Sequence, residues 1–365
     1  MYYASPIEQA CPSSPAHSTI ALTFTLVGAQ LAVVVFPLIV VAATTTLLDC
    51  FVRSGLESKL LSLCDASVIA NPHQYTGIVA FDHTFCLLIG FFHGALDAAY
   101  RPLLADMMAT VAAVIVVPFA EAARETQPPI LRFPVAIGVM FQTLTFAIAM
   151  PIYWLLFILA GSSTKHKTWE NGSAKICQVS SEGVLFSLLV GFVIPTMTMI
   201  IAQDPIVTII WQGFPLWMEL TRRIYGLLRP PAGSTNNGYH ILQATYSFVF
   251  LVSATLHIIY AWPLIHDLSR LQLLFMPWFV NQEPATTSLG TNIAHFLKWD
   301  MIFGAGSTIL SSFWFTDSIL KCAILALWHI LSTILFGPGA AIAGAFMWRE
   351  TKVYEQTKLG KRKEQ

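Results

Sequence analysis

Long stretches of mostly apolar residues recur from residue 19 to residue 347, and they constrain the fold more than any other feature of the sequence. A helix that crosses the hydrocarbon core of a membrane needs about 20 such residues. The stretches cover residues 19–47, 76–96, 103–120, 133–160, 182–201, 205–228, 241–264, 299–318 and 319–347. The sixth is the weakest, because Glu219, Arg222 and Arg223 lie near its end. The sequence therefore predicts an all-α, polytopic transmembrane helical bundle with eight or nine spans.

Charged residues are too rare to cover a soluble surface. They make up 11% of the 365 residues, against about 25% in an ordinary globular protein. This scarcity excludes a soluble enzyme, a disordered chain and a small secreted domain. The 20 basic residues are balanced by 20 acidic ones, which argues against nucleic acid as a partner. We expect an N-terminal tail at 1–18, the bundle at 19–347 and a basic C-terminal tail at 348–365.

The distribution of Lys and Arg predicts the orientation in the membrane. Loops on the cytosolic side carry an excess of these residues, and six of them follow the last predicted span. The C-terminus is therefore expected in the cytosol. With nine spans, this orientation also places the glycosylation sequon Asn171-Gly-Ser173 in the lumen.

The six cysteines are scattered, and no two have the spacing of a zinc site or of a redox pair. We therefore expect them to be free thiols, which behave as small apolar side chains.

Several ionisable side chains fall inside the predicted spans, where each is costly enough to need an explanation. They include Asp106 and Glu121 in the third span, His257 in the seventh and Asp300 in the eighth. For each acid alone the simpler interpretation is structural: near a span end it contacts headgroups or caps a helix. A lone His257 is more often a packing residue. Together, however, these residues predict a polar pocket inside an apolar bundle.

Aromatic residues accompany these acids, among them Tyr153, Trp154, Trp211, Tyr260 and Trp299. Belts at the membrane interface account for many of them. The functional alternative is a cavity lined by π faces, which attract cations. An acid that faces such a cavity, kept protonated by burial, is what the cyclisation of a polyene needs.

Five short motifs carry a resemblance to a known family. They are Phe119-Ala-Glu-Ala-Ala-Arg124, Leu131-Arg-Phe-Pro134, Met150-Pro-Ile-Tyr-Trp154, Ile210-Trp-Gln-Gly-Phe-Pro-Leu216 and Leu297-Lys-Trp-Asp300. Together they resemble the fungal integral-membrane meroterpenoid and sesquiterpenoid cyclases of the ilicicolin epoxide cyclase type. The resemblance extends from about residue 80 to 345.

The resemblance implies a terpene cyclase of secondary metabolism that resides in the endoplasmic reticulum membrane and needs no metal or other cofactor. Its substrate would be a farnesyl chain on an aromatic or quinone head, with protonation at the terminal alkene or at an epoxide. Motif matching carries over Glu121, Arg124, Trp211, Gln212 and Asp300 as cavity residues. The chain has no Asn-Asp-x-x-Asp or Asp-Asp-x-x-Asp motif, the Mg²⁺-binding pattern of enzymes that ionise a diphosphate.

The predicted site combines these motif residues with the polar and aromatic residues of the spans. Asp300 and Glu121 are the predicted catalytic residues. Arg124 lies at i+3 from Glu121, close enough to pair with it and keep it ionised, so Asp300 is the predicted proton donor and Glu121 its electrostatic partner. The predicted substrate-binding residues are Arg124, Tyr153, Trp154, Trp211, Gln212, His257, Tyr260 and Trp299.

The alternative function is a multi-pass transporter of a small hydrophobic metabolite. It predicts inverted repeats, or paired helices broken at the bilayer midplane. Pro118, Pro151, Pro195 and Pro215 could break helices, but the segments that contain them are not visibly related.

Overall fold

A computed structural model of the chain describes residues 15–69, 75–124, 127–162, 176–229, 237–277 and 287–364. These residues form helices, together with one isolated β-bridge between Cys177 and Asn237. The principal helices are α1 (Pro15–Val52), α2 (Leu56–Ile69), α3 (Val79–Ala95), α4 (Arg101–Ala122), α5 (Pro134–Leu144), α6 (Phe146–Leu159), α7 (Gln178–Ser187), α8 (Ile194–Ala202), α9 (Pro205–Gln212), α10 (Phe214–Leu228), α11 (Tyr239–Tyr260), α12 (Leu268–Phe275), α13 (Leu289–Ser312), α14 (Ile319–Phe336) and α15 (Pro338–Glu364). The prediction of an all-α bundle is confirmed for this part of the chain.

Five helical segments within the described ranges are long and apolar enough to cross a membrane. They are Gly28–Val52, Arg101–Ala122, Gln178–Ala202, Tyr239–His266 and Ile319–Phe336. The second of these, α4, is almost wholly buried, whereas the others expose most of their apolar surface. The helix α4 is therefore the axis of the bundle, and the surrounding helices present their outer faces to lipid. The total of eight or nine spans stays a prediction.

The helices begin and end at two opposite ends of the bundle. At what we call the Tyr100 end, the Tyr100 hydroxyl lies 2.8 Å from Oγ1 of Thr291, which joins the starts of α4 and α13. The Asn292 amide donates to the Ser54 carbonyl there at 2.8 Å, so α1 ends at the same level. The other end, which we call the Glu121 end, contains the end of α4.

Contacts at the Glu121 end show which other helices reach it. Arg349 Nη1 of α15 lies 2.6 Å from a Glu121 carboxylate oxygen. The Tyr239 hydroxyl at the start of α11 lies 3.1 Å from Oγ1 of Thr351. The N-terminal half of α1 also reaches this end, because Trp314, which follows α13, donates its Nε1–H to the carbonyl of Gly28 within α1.

The predicted fourth span, 133–160, is two helices rather than one, which corrects that boundary. The helices α5 and α6 meet at Thr145, whose φ of 85° is incompatible with a continuous helix. Their 11 and 14 residues span about 16 and 21 Å, each less than the ~30 Å of the hydrocarbon core. The Ser162 hydroxyl, after α6, donates to Oε1 of Gln127, before α5, at 2.8 Å. The pair is therefore a hairpin that enters and leaves at the Glu121 end.

The segment from α7 to α8 also departs from a regular helix. Residues Leu188–Val193 form a π-helical stretch between the two. At its Gly191, a Cβ atom would lie 2.5 Å from the Cα of Met218 in α10. The absence of a side chain at Gly191 thus lets the backbones of the two helices approach closely, as is common where helices pack in membranes.

A disulfide joins Cys64 of α2 to Cys86 of α3, with Cα atoms 5.8 Å apart. The expectation that all cysteines are free thiols is wrong for this pair. A separation of 22 residues has no recognisable spacing, and only the antiparallel packing of α2 on α3 brings the two side chains together. Cys50, Cys177 and Cys322 are free, and Cys11 lies outside the described residues.

Candidate active site

Glu121, in the last turn of α4, is the centre of a buried ion network. Its side chain is 0% exposed. Its carboxylate accepts hydrogen bonds from Arg124 Nε at 3.0 Å and from Gln127 Nε2 at 2.6 Å. Arg349 of α15 donates to both carboxylate oxygens, at 2.6 and 3.3 Å. The predicted pairing of Glu121 with Arg124 is therefore present, and a second guanidinium strengthens it.

Glu350 completes the network and balances its charge. Its carboxylate accepts from Arg124 Nη2, and from Arg349 Nη1 at 3.2 Å. Burial alone would lower the pKa of the Arg124 guanidinium, but the adjacent Glu121 and Glu350 raise that pKa above its ordinary value. Two acids and two bases thus neutralise one another, as buried charges must if they are to remain ionised.

Sequence reasoning did not assign Arg349 and Glu350 to the site. They follow the last predicted span directly and were counted in the basic tail at 348–365. The structure buries both side chains, at 2% and 4% exposure. Small residues earlier in α15, namely Ala340, Ala341 and Ala343, are fully buried and allow this helix to pack closely on its neighbours. No local signal distinguishes these two charges from those of a solvated tail.

Six aromatic residues, which we call the aromatic cluster, pack beside the network: Tyr153, Trp154, Phe157, Tyr246, Phe315 and Phe346. The Arg349 guanidinium carbon lies 4.8 Å from the Phe315 ring centroid and 5.4 Å from that of Phe157. The rings of Trp154 and Tyr246 each lie 5.9 Å from the ring of Phe346. Tyr153 and Trp154, predicted as substrate-binding residues, thus lie beside Glu121 and Arg124.

Three polar atoms at this position have no hydrogen-bond partner among the described residues: the Tyr153 hydroxyl, the Tyr246 hydroxyl and Arg349 Nε. The two tyrosines are 1% and 0% exposed. A buried hydroxyl without a partner is rare, since burial without a hydrogen bond is costly. By contrast, Trp154 Nε1 in the same cluster donates to Thr308 Oγ1 at 2.9 Å. The unsatisfied atoms mark this position as a candidate for binding a polar group of a substrate.

Asp300 lies at a different level of the bundle. It is buried near the middle of α13, and its Oδ1 accepts a hydrogen bond from the Ala147 backbone N–H at 2.7 Å. Ala147 is in the first turn of α6, so Asp300 caps the start of that helix. Ten residues of α6 separate Ala147 from Phe157, which corresponds to about 15 Å along the helix axis. The structure therefore does not bring Asp300 and Glu121 into contact.

Trp211 and Gln212 form a separate group around the breaks between helices. Trp211 Nε1 donates to Thr196 Oγ1 at 2.9 Å, and its ring packs on Phe92 with centroids 4.9 Å apart. The Gln212 carbonyl accepts from Gln142 Nε2 at 3.1 Å, which joins it to the hairpin of α5 and α6. These residues support the tip of that hairpin and do not contact the ion network.

His257 lies near the Tyr100 end and pairs with Asp106. Its Nδ1 is 3.0 Å from Asp106 Oδ1. Fifteen residues of α4 place Asp106 about 22 Å from Glu121 along the helix axis. Trp299 stacks on Phe303 at 5.6 Å, and Tyr260 is largely exposed at 37%. Of the ten predicted site residues, the structure thus brings together Glu121, Arg124, Tyr153 and Trp154.

The arrangement around Glu121 has a definite chemical capacity. Ring faces and an ionised carboxylate both stabilise positive charge, and none of the ring carbons can capture a carbocation as a lone pair would. The described residues contain no group of three or more His, Cys, Asp or Glu side chains placed to hold a metal ion. The residues around Glu121 are therefore suited to stabilising positive charge in an apolar environment.

Comparisons with known proteins agree with this chemistry. A family model described as the CtvD domain matches residues 29–354, which include every residue of the network and the aromatic cluster. The curated terpene cyclase ctvD of Aspergillus terreus (strain NIH 2624 / FGSC A1156) is 25% identical over 333 residues, covering 84% of this chain and 92% of that protein. No solved structure matches the chain.

Proposed function

From the premise that this chain belongs to the CtvD domain family, we propose that it is a membrane-embedded terpene cyclase. The resemblance to fungal terpene cyclases that its motifs indicated is confirmed by the family match and the Aspergillus relative. The observation that carries the proposal is the buried Glu121 network beside the aromatic cluster. Apolar walls, π faces and a fixed anion are the features that a carbocation cyclisation uses.

The proposed substrate is a farnesyl chain on an aromatic or quinone head, as in meroterpenoid biosynthesis. The chain would lie against Trp154 and Phe346, with protonation of its terminal alkene or epoxide as the first step. Glu121, held ionised by Arg124 and Arg349, would stabilise the cation that migrates through the chain. The final cation would lose a proton in place of the one added, so the proposed reaction conserves the atoms of the substrate and is of the isomerase type; it is of the lyase type if a small group is eliminated instead.

The proton donor is either Asp300, the residue predicted from sequence, or a hydroxyl group of the aromatic cluster. The hydrogen bond from Ala147 supports a structural task for Asp300, because its carboxyl oxygen satisfies a first-turn N–H inside the bundle. Its distance from Glu121 also favours a donor closer to the network. The two assignments predict opposite behaviour of an Asp300→Asn variant, which is considered in the Discussion.

We expect microsomes that contain the protein to convert a farnesylated phenol, or its terminal epoxide, into a cyclised product of unchanged or nearly unchanged mass. Turnover should persist in EDTA, because the chain has no Asp-rich motif for a metal-bound diphosphate. Liquid chromatography with mass spectrometry measures both results, and microsomes without the protein are the control. Activity that disappears in EDTA and returns with Mg²⁺ would contradict the proposed chemistry.

Transport of a hydrophobic metabolite is the second candidate. The hairpin of α5 and α6 favours it, because paired short helices that meet inside the bundle are common at transporter binding sites. The same hairpin also carries Tyr153 and Trp154 into the aromatic cluster, as a cyclase requires. Uptake of unchanged substrate by proteoliposomes, with no cyclised product, would favour the transporter.

We propose that the Glu121 end faces the cytosol. Twelve of the 17 Lys and Arg residues in the described ranges lie toward this end. They are Arg124, Arg132, Arg222, Arg223, Arg229, Lys321, Arg349, Lys352, Lys358, Lys361, Arg362 and Lys363.

The sequon Asn171-Gly-Ser173 lies outside the described residues, but α6 ends and α7 begins at the Glu121 end. With the proposed orientation we therefore expect the chain between these two helices to face the cytosol, like the C-terminal tail, whereas the Lys and Arg count with nine spans predicted a lumenal sequon.

We expect Asn171 to carry no glycan, so endoglycosidase should leave the gel mobility unchanged. A Glu283→Thr/Pro284→Ala variant, which creates a sequon at Asn281 between α12 and α13, should be glycosylated as the positive control. A glycan at Asn171 would show that the Glu121 end faces the lumen, contrary to the proposed orientation.

A further inference from the structure

Two tyrosine hydroxyls and one guanidinium nitrogen beside the ion network lack the hydrogen bonds that buried polar atoms normally have. Tyr153 Oη, Tyr246 Oη and Arg349 Nε have no partner among the described residues. Their side chains are 1%, 0% and 2% exposed. Buried tyrosine hydroxyls usually find a partner, so three unsatisfied groups in one region need an explanation.

The three groups belong to one neighbourhood although they lie on three helices. The Tyr153 ring on α6 is 4.9 Å from Trp154 and 6.0 Å from Phe157, and the Arg349 guanidinium on α15 lies over the same Phe157. The Tyr246 ring on α11 stacks on Phe346, one turn before Arg349. Both phenols interact electrostatically with Glu121 and with both arginines, and Tyr153 also interacts with Tyr246.

The chemistry of these atoms identifies the class of ligand. A phenol O–H can donate one hydrogen bond, and a guanidinium N–H can only donate. Both carboxylate oxygens of Glu121 and Oε1 of Glu350 already accept hydrogen bonds from Arg124, Arg349 and Gln127. The surplus at this position is therefore of donors, and what it lacks is a neutral acceptor. An anionic ligand is unfavourable here, because the charges of Glu121, Glu350, Arg124 and Arg349 already balance and the network has no further cation to neutralise it.

We propose that Tyr153, Tyr246 and Arg349 Nε together bind a neutral oxygen atom of the substrate, so that the site takes a prenyl chain that carries a hydrogen-bond acceptor oxygen rather than a pure hydrocarbon. This inference rests on the proposed function for the nature of the chain. The hydroxyls hold the oxygen beside the aromatic cluster, and the rest of the chain lies along Trp154 and Phe346. Two donors on one oxygen also withdraw electron density from it.

The test uses the double variant Tyr153→Phe/Tyr246→Phe and three probes. Each substitution removes a hydroxyl and keeps the ring, so the packing of the cluster is preserved. The probes are a farnesylated phenol, its terminal epoxide, and the terminal epoxide of a farnesylated benzene that has no ring oxygen. Binding to the purified full chain in detergent is measured by equilibrium dialysis. Tyr239→Phe, whose hydroxyl already has Thr351 as a partner, is the matched control.

We expect the double variant to bind at least one oxygen-bearing probe about tenfold or more weakly, the effect of losing hydrogen bonds to a buried acceptor, while its melting temperature is unchanged or higher. Loss of affinity for both epoxides identifies the terminal oxygen as the ligand. Loss for the two phenols alone identifies the oxygen of the head. Tyr239→Phe should bind all three probes as the wild type does.

Equal affinity of the double variant and the wild type for all three probes would overturn the inference. That result leaves the proposed function intact if the wild type still forms cyclised product from any probe. Conversely, oxygen-dependent binding that the double variant loses, without product from any probe, supports the inference and contradicts the cyclase. The two failures are therefore distinguishable.

Discussion

Replacing Glu121 by glutamine is expected to lower turnover by about 10²–10³-fold, the usual effect of removing a preorganised electrostatic group. The free energy of unfolding should also fall, by about 3–5 kcal/mol, because the variant leaves Arg349 and Arg124 buried with too little negative charge. Turnover of the farnesylated substrate and thermal unfolding in detergent measure the two effects.

Glu219 offers a matched control for this substitution. Like Glu121 it accepts hydrogen bonds from two arginines, Arg222 and Arg223, on one helix. However, its partner Arg223 is 66% exposed, and solvent replaces the lost interactions of such a pair. Glu219→Gln should therefore cost only about 0.2–1 kcal/mol and leave turnover unchanged.

A compensated double variant separates stability from chemistry. Glu121→Leu with Arg349→Met removes one acid and one base, and Arg124 and Glu350 can still pair with each other. Apolar replacement of a whole buried pair is often neutral for stability, so this variant should be more stable than Glu121→Gln alone. Turnover should stay low, because the anion that stabilises the cation is absent. Recovery of turnover together with stability would show that the network is structural only.

Asp300→Ala is expected to lose folded protein, whereas Asp300→Asn is expected to keep turnover within about threefold of the wild type, since asparagine and aspartate cap helices equally well. In the alanine variant the first-turn N–H of Ala147 loses its acceptor inside the bundle, at a cost of about 1–3 kcal/mol. The tip of the α5–α6 hairpin would then be free to move, and with it Tyr153 and Trp154.

The asparagine variant decides between the two tasks of Asp300, because it keeps the acceptor oxygen and removes the acidic proton. Size-exclusion chromatography and thermal unfolding establish that it folds, and the turnover assay follows. A folded but inactive Asp300→Asn protein would assign the proton to Asp300, as its sequence context predicted. Turnover close to that of the wild type would assign Asp300 to the hairpin and direct the search for the donor to the aromatic cluster.

Hydropathy and spacing along the chain were sufficient to predict the helical membrane bundle. Apolar runs of about 20 residues allow few other structures, because backbone groups in lipid must be satisfied within a helix or a closed barrel. The i+3 spacing also predicted the pair of Glu121 and Arg124, which lies within a single turn of chain. Tyr153 and Trp154 were predicted as aromatic residues that line a cavity, and the structure places them beside that pair.

Only the tertiary structure decided which distant residues meet. Arg349 and Glu350 join Glu121 across 228 and more positions of sequence, and nothing local distinguishes them from tail charges. The break at Thr145 could not be predicted either, because the apolar residues on both sides of it form one uninterrupted apolar run. A positive φ at a threonine depends on the packing around it. The structural task of Asp300 depends on that break. Its carboxylate accepts a hydrogen bond from the first turn of α6, and α6 begins there only because the chain reverses at Thr145. Contacts between helices depend on how their surfaces pack in three dimensions, whereas hydropathy describes only the order of residues along the chain.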